Sequence, residues 1–363
     1  MSQKSKVYFS RIPRDAKEQE AARGIEKLLN LSNLLKILEK DALVMVKMHF
    51  GEKGNVGHIQ PKFVRPIVDS IKEKKAKPFL SDTNTLYIGE RHNAVDHLHI
   101  ANEHGFSIEK IGCPVIIADG LKGMSGLDVA VETDRKHPNG SRTKVAIASD
   151  AVCADAIISL AHVTAHLGTG FAACLKNLGM GLSPRRGKLS QHSSQKLTVS
   201  DKCDACGTCT KWCPEEAISI YQDRAVIDAS KCIGCGYCLC ICSRRAIRFD
   251  WSAKPESLQE RIVEHALAVV QEKRDKCAFL NFAQHVTENC DCLSNSGKLL
   301  IEDVGVLASF DPVALDCASV DVVNETAGRD VFEQSYSGID YRHQFRYAQE
   351  LGLGFTSYEL LEV

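Results

Sequence analysis

Eight cysteines between Cys203 and Cys242 fall into two matched sets: Cys203, Cys206, Cys209, Cys213 and Cys232, Cys235, Cys238, Cys242. Each set reads C-x2-C-x2-C-x3-C. A constant offset of 29 residues relates them and also aligns Ala217 with Ala246, Ile218 with Ile247 and Ile220 with Phe249, so the segment is a duplicated unit. Three thiols two residues apart wrap a tight loop around one iron-sulfur cubane, while the fourth is too distant to complete that corner and ligates the other cluster. The spacing therefore predicts one [4Fe-4S] cluster on Cys203, Cys206, Cys209 and Cys242, and a second on Cys232, Cys235, Cys238 and Cys213. Zinc sites draw their ligands as two pairs, which suits this three-plus-one pattern less well. A disulfide framework does not suit a chain of this length without a secretory signal.

Three further stretches hold groups able to do chemistry. His49-Phe50-Gly51-Glu52 opens a Gly-rich loop in which His49 and Glu52 can serve as acid and base, or merely satisfy the turn's own backbone. His162 and His166 precede Gly168-Thr169-Gly170 and a helix start that carries Lys176. Such a helix N-terminus offers free N-H groups to an anion, with Lys176 adding charge; alternatively the glycines only make a tight turn. A metal role for the two histidines competes with a hydrogen-bonded structural role. Cys290-Asp291-Cys292 lies in a polar loop, where two thiolates one residue apart can clamp a soft metal or form a labile disulfide. No Lys or Arg adjoins that pair in sequence, so thiolate activation has to come from elsewhere in the fold. There is neither a P-loop nor a G-x-G-x-x-G fingerprint.

These groups need a frame. Residues 15 to 40 read as a helix broken near Asn30 to Asn33, followed by a strand at Leu43 to Met48, a helix from Pro61 through Lys75, and a strand at Pro78 to Leu80. A helix from His92 to His104 comes next, then strands near Ile108 to Ile111, Val115 to Ala118, Lys144 to Ala148 and Ala156 to Leu160. Residues 183 to 197 have linker composition. Beyond the cysteine repeat the alternation resumes with a helix from Glu256 to Glu272 and strands at Ala278 to Phe282 and Leu299 to Ile301. A further helix is opened by Asp311 as N-cap and Pro312. Short apolar strands alternating with amphipathic helices predict an α/β class: a mostly parallel sheet in a host domain, with an inserted small α+β two-cluster ferredoxin module. The expected boundaries are 1-196 and 251-363 for the host and 197-250 for the insertion. In such sheets functional loops gather at the carboxyl ends of the strands, where His49 to Asn55, Asp82 to Thr85 and His162 to Gly170 all fall.

With 45 basic against 46 acidic residues, the charge gives no case for nucleic acid or membrane as a main partner. No segment reaches the ~20 apolar residues of a membrane helix, and the expectation is a cytoplasmic protein. Sixteen cysteines imply a reducing, oxygen-poor interior. Cys240 has Lys211 at its repeat position and reads as a packed thiol, not a ninth ligand.

Residues 198 to 250 closely resemble the bacterial two-cluster ferredoxins, with Pro214 after the fourth cysteine but Ser243 in place of the second proline. Outside that segment a second resemblance is carried by His49-Phe50-Gly51-Glu52, Asp82-Thr83-Asn84-Thr85, Leu175-Lys176-Asn177-Leu178-Gly179-Met180-Gly181, Cys290-Asp291-Cys292 and Asp311-Pro312-Val313-Ala314. Together these are similar to the iron-sulfur proteins grouped as domain of unknown function 362, over residues 44 to 350. That resemblance implies an α/β domain often carrying an inserted two-cluster ferredoxin module, and no settled reaction.

Within residues 200 to 250 seven basic and seven acidic groups cancel, as expected of a module docked on its own host rather than one steered to many partners. The leading expectation is an oxidoreductase relaying single electrons through the two clusters to a host site. That site gathers Cys290, Cys292, His162, His166, Lys176 and His49, and its partner is a redox protein or small-molecule substrate. One alternative is an electron-transfer or assembly protein with no chemistry of its own in the host; the other is non-redox metal chemistry with structural clusters, a further metal or organic cofactor being compatible with either enzyme reading. Substrate, electron donor and oligomeric state are not encoded in any motif found.

Overall fold

A computed structural model describes residues 4-131, 144-192, 197-251 and 253-363. Its frame is an eight-stranded sheet in the order Tyr358–Glu362, Ser5–Ser10, Gly305–Ser309, Cys277–Ala283, Ala156–His162, Leu43–Lys47, Lys77–Asp82 and Val115–Ile117. The five strands from Cys277–Ala283 to Val115–Ile117 run parallel, and only Gly305–Ser309 is antiparallel to its neighbours. The α/β class with a mostly parallel sheet is thus present, and the central strands, buried on both faces, carry the continuous apolar runs that parallel sheets need.

Successive side chains point to opposite faces and fill two separate cores. Val44, Val46, Ile158, Leu160 and Leu280 face one layer, which holds the helices Glu18–Ser32 and Pro61–Glu73; Met45, Ile157 and Phe279 face the other, which holds Cys174–Gly179, Pro255–Lys273 and Pro312–Ala327. Asp311 caps the last of these, accepting from Val313 N at 2.9 Å and Ala314 N at 3.0 Å, with Pro312 at the first helical position. Cys277–Ala283 pairs directly with Ala156–His162, so both ends of the chain build one sheet and residues 163-276 leave and return to it.

Several expectations change. Ile108–Ile111 is a helical turn rather than a strand: Ser107 caps it at Lys110 N and Gly112, at φ 83°, closes it, and four residues are too few to carry a period that tells the two apart. Arg185–His192, read as linker, is a helix whose polar side chains are buried by partners; Lys188 donates to Thr83 Oγ1 and the Asn84 carbonyl, and Gln191 to the Gly179 carbonyl at 3.1 Å. Residues 193-196 of the same stretch lie outside the described residues. Lys144–Ala148 is a strand but pairs with Gly126–Ala130 in a separate ribbon.

Residues 198-249 form a small unit in which Thr198–Val199 pairs with Ile247–Arg248 and Ile218–Tyr221 with Arg224–Ile227, around the short helices Thr208–Lys211 and Tyr237–Ile241. The 29-residue repeat is written into its backbone. Left-handed φ angles recur at Ala205 and Gly234 (55° and 70°), at Gly207 and Gly236 (70° and 71°), and at Glu216 and Arg245 (48° and 53°). Cys209, Ile218, Cys238 and Ile247 form its core together with Leu86 and Leu189 from outside it, so the unit is seated on the larger body.

One glycine sets how closely two helices approach. A Cβ on Gly179 would stand 2.0 Å from the Ile262 carbonyl oxygen, in the backbone of Pro255–Lys273. Gly179→Ala is expected to cost about 1–3 kcal/mol through overpacking, visible as a lower urea midpoint at unchanged slope; an unchanged midpoint would mean the helices separate freely.

Candidate functional site

From Leu43–Lys47 the chain moves outward through Lys77–Asp82 to Val115–Ile117, then crosses to Ala156–His162 and Cys277–Ala283 on the other side. The order therefore reverses between Leu43–Lys47 and Ala156–His162, and in open α/β sheets ligands bind outside the carboxyl ends of strands at such a switch point. Asn177 bridges it: its amide donates to Ser159 Oγ at 2.8 Å and the Leu160 carbonyl at 3.1 Å, and its oxygen accepts from Lys47 Nζ at 2.8 Å. Over this point opens a cavity whose walls include His49, His162, Lys176, Cys290, Asp291 and Cys292.

The floor is a buried charge network. Asp82 meets Lys47 at 3.0 Å and Arg91 at 3.2 Å, with His97 at 3.6 Å; Arg91 also meets Glu52 at 3.4 Å. Arg91 donates to the Tyr87 hydroxyl at 2.6 Å, which in turn donates to the Cys292 carbonyl at 2.6 Å. The Gly-rich loop supports the same segment, Glu52 N donating to the Asp291 carbonyl at 2.9 Å and Asn55 Nδ2 to the Leu293 carbonyl at 3.0 Å. Glu52 is thus engaged by Arg91 and is not free to act as a base with His49. His49 accepts from Gly51 N at 2.9 Å through Nδ1, while burial and then the Arg91 charge hold its ring well below the usual histidine range.

His162 and His166 part company. His162 lies 3.0 Å through Nδ1 from both Asp291 oxygens and donates through Nε2 to the Gln284 carbonyl at 2.9 Å. Burial pushes the Asp291 carboxyl up, but His162, His49 and His58 outweigh it and hold the group below the ordinary carboxylate range. His162 therefore positions the Cys290–Cys292 segment and has no ring nitrogen left for a ligand. His166, on the hairpin formed by Thr164–His166 and Gly170–Ala172, instead brings a ring nitrogen to within 4.8 Å of both Cys290 and Cys292 Sγ. Burial, with Lys176 and His192, holds His166 neutral, well below its usual range.

Cys290 and Cys292 are joined as a disulfide. Lys176 supplies the cation that sequence neighbours did not, its Nζ lying 3.7 Å from Cys290 Sγ. Burial lowers this amine to about 8, with Asp291 partly offsetting. At pH 7 it is still chiefly an ammonium, which favours the Cys290 thiolate once the bond is reduced. In the reduced protein, Lys176→Met is expected to slow iodoacetamide alkylation of Cys290 at pH 7 by about tenfold; an unchanged rate would remove Lys176 from thiolate activation.

The expected anion site at the start of Cys174–Gly179 is already filled from within the chain. Asp316 accepts from Cys174 N and Leu175 N at 2.9 Å each and from Asn281 Nδ2 at 2.7 Å, and burial pushes its carboxyl up to about 7. Gly170, at φ 73°, serves the hairpin turn. Lys47, Arg91, Lys188 and Trp251 line or underlie the cavity without having been singled out in the sequence; the one signal was a lysine closing the apolar run at Lys47.

In the small unit, burial raises the Cys209 thiol, and the sulfurs of Cys242, Cys203 and Cys206 raise it further. Cys213, Cys232, Cys235 and Cys238 line a common cavity of about 330 Å³. Backbone N-H groups reach three of the sulfurs, Ala217 N to Cys213 at 3.2 Å, Ala246 N to Cys242 at 3.3 Å and Ala225 N to Cys203 at 3.3 Å. Cys240 is buried beside Arg185 and belongs to neither group. A further cavity between the unit and the larger body reaches Cys242 and shares Leu86, Tyr87 and Trp251 with the site.

A family model described as domain of unknown function (DUF362) matches residues 44-321. No curated protein matches the chain. Among solved structures, the lactate racemase apoprotein from Thermoanaerobacterium thermosaccharolyticum is similar at 12% identity and a TM-score of 0.40, covering 77% of this chain and 51% of that one. A Thermotoga maritima protein is similar at 10% identity and a TM-score of 0.40, covering 87% and 60%. The chain thus spans less than two thirds of either.

Proposed function

Because the chain belongs to the DUF362 family, whose description specifies no reaction, we propose its function from its own residues: an iron-sulfur oxidoreductase in which single electrons from an external donor serve a dithiol/disulfide site, Cys290–Cys292, in an α/β host. In this reading residues 197-250 are a two-cluster ferredoxin-type insertion in a host made of 1-196 and 251-363. Cys203, Cys206, Cys209 and Cys242 would hold one [4Fe-4S] cluster and Cys232, Cys235, Cys238 and Cys213 the other. The donor chemistry fits. The N-H groups aimed at Cys213, Cys203 and Cys242 support the reading, since such bonds to sulfur tune iron-sulfur centres.

When bound, the clusters supply one-electron transfer. The chain's own residues do the rest. Cys290 and Cys292 form the two-electron couple, Lys176 holds charge and a proton beside Cys290, and Asp291, fixed by His162, anchors the segment between the two sulfurs. The carrying observation is that this disulfide opens into the switch-point cavity, whose wall at Leu86, Tyr87 and Trp251 is shared with the cavity reaching Cys242. The acceptor is a small molecule entering the cavity or a redox partner protein. A reducing cytoplasm suits the fourteen free cysteines, and no described helix is long and apolar enough to cross a membrane. Anaerobic purification with iron, sulfide, other metals and organic cofactors quantified tests the reading. About eight irons and eight sulfides per chain are expected; stoichiometric zinc in their place would overturn it.

A further inference from the structure

The pair that forms the disulfide is also two thirds of a ligand set. Ligand atoms of His166, Cys290 and Cys292 lie within 4.8 Å of one another, and among the described residues they are the one group of three or more such side chains that do. His166 comes from its hairpin and the cysteines from the segment after Val286–Thr287, where both cysteines line the switch-point cavity. Thr169 Oγ1 donates to the Phe171 carbonyl at 2.8 Å and stands 2.9 Å from His166 Nδ1. Gly168 N and Thr169 N each donate to Nδ1 at 3.1 Å, so Nδ1 is the ring's acceptor in the metal-free hairpin, and a metal bonding through Nε2 would shift the proton there to Nδ1 as those contacts open. Two thiolates and an imidazole are a soft donor set with an open fourth position, suited to zinc or copper(I) and unsuited to magnesium or calcium.

We propose that Cys290, Cys292 and His166 form a soft-metal site that exists only when the disulfide is reduced, making metal capture a redox-gated property of this cavity. Two electrons and two protons from a dithiol, a phosphine or a low-potential one-electron donor acting twice convert the S-S bond to two S-H groups. A divalent ion then displaces those two protons, which pass to water, and bonds to both sulfurs and to His166. A two-electron oxidant, such as an external disulfide or a peroxide, reverses the order: it takes two electrons from the thiolates as the S-S bond re-forms, and the metal leaves to water. The gate follows from valence, since a sulfur committed to an S-S bond is not a thiolate ligand. The inference shares its cysteines with the proposed dithiol couple but does not depend on electrons arriving from the clusters.

The test is equilibrium dialysis of the cluster-loaded protein against zinc, oxidised and after phosphine reduction, with bound metal quantified and zinc-edge X-ray absorption recorded. One additional zinc per chain is expected in the reduced protein and none in the oxidised, with two sulfur ligands and one imidazole nitrogen. Cys290→Ser and Cys292→Ser should abolish the uptake, and His166→Ala should weaken it at least tenfold and remove the nitrogen signal. His99→Ala, outside the ligand set, should leave it unchanged. Equal uptake in both redox states, or uptake indifferent to His166→Ala, would overturn the proposal. Zinc uptake that holds while the serine variants accept as many electrons as the wild type would instead sink only the oxidoreductase reading.

Discussion

Titrated anaerobically with dithionite, the cluster-loaded wild-type protein will accept about four electrons per chain, and the Cys290→Ser/Cys292→Ser variant about two. The difference is the disulfide couple, and counting electrons in this way requires no knowledge of the physiological acceptor. Iron and sulfide should stay unchanged, because Cys290 and Cys292 lie in a loop beyond the carboxyl end of a central strand of the large sheet, while the eight proposed ligands lie between 203 and 242. Folding should change little as well, since the bonds from the Tyr87 hydroxyl, Glu52 N and the Asn55 amide that hold this loop all go to its backbone carbonyls, none of which serine removes. Equal electron counts in the two proteins would mean that the couple is not addressed, leaving the host as a binding body or a site of non-redox metal chemistry.

The eight-cysteine segment was the most legible part of the chain because its information is local. Ligand spacing and a 29-residue repeat need no tertiary context, and the repeated left-handed angles at Gly207 and Gly236 are the backbone form of the same repeat. The parallel strands were legible for a related reason: runs such as Leu43–Lys47 are buried on both faces. The strands at one end of the sheet were not, since Ser5–Ser10 mixes exposed and buried positions, Tyr358–Glu362 has no buried position, and neither carries a continuous buried run. At the site, the sequence could nominate Cys290, Cys292, His162, His166 and Lys176, but not assign them. Only the fold shows that His162 serves Asp291, that His166 faces the cysteines, and that Asp316, 142 residues from Cys174, fills the helix terminus that glycines had made look open. Arg91 left no sequence signal at all, because its importance comes wholly from the two carboxylates it meets.

Those carboxylates carry the largest stability effect expected in the molecule. Asp82 is the shared partner of Lys47 and Arg91, and all three side chains are at most 3% exposed. Asp82→Asn keeps the shape and removes the charge, leaving two buried cations with Glu52 as the remaining carboxylate in contact. Breaking a buried pair in this way costs about 3–5 kcal/mol. The lower end is expected here, because Lys47 keeps Asn177 Oδ1 at 2.8 Å and Arg91 keeps Tyr87. Burial alone would raise the Asp82 carboxyl, but Lys47 and His97 outweigh it and hold it well below the ordinary range. The unfolded group titrates near 4, so its contribution is fully present above about pH 4 and is lost as pH falls toward the depressed folded value. The gap in urea stability between wild type and Asp82→Asn should therefore be flat from pH 6 to pH 8 and narrow only in acid. Glu52→Gln, which leaves Arg91 its bond to Asp82, should cost less than Asp82→Asn at every pH. If Asp82→Asn costs under about 1 kcal/mol, the network is hydrated rather than buried, and the rigid floor that holds Tyr87 against the Cys292 carbonyl would have to be replaced by some other support.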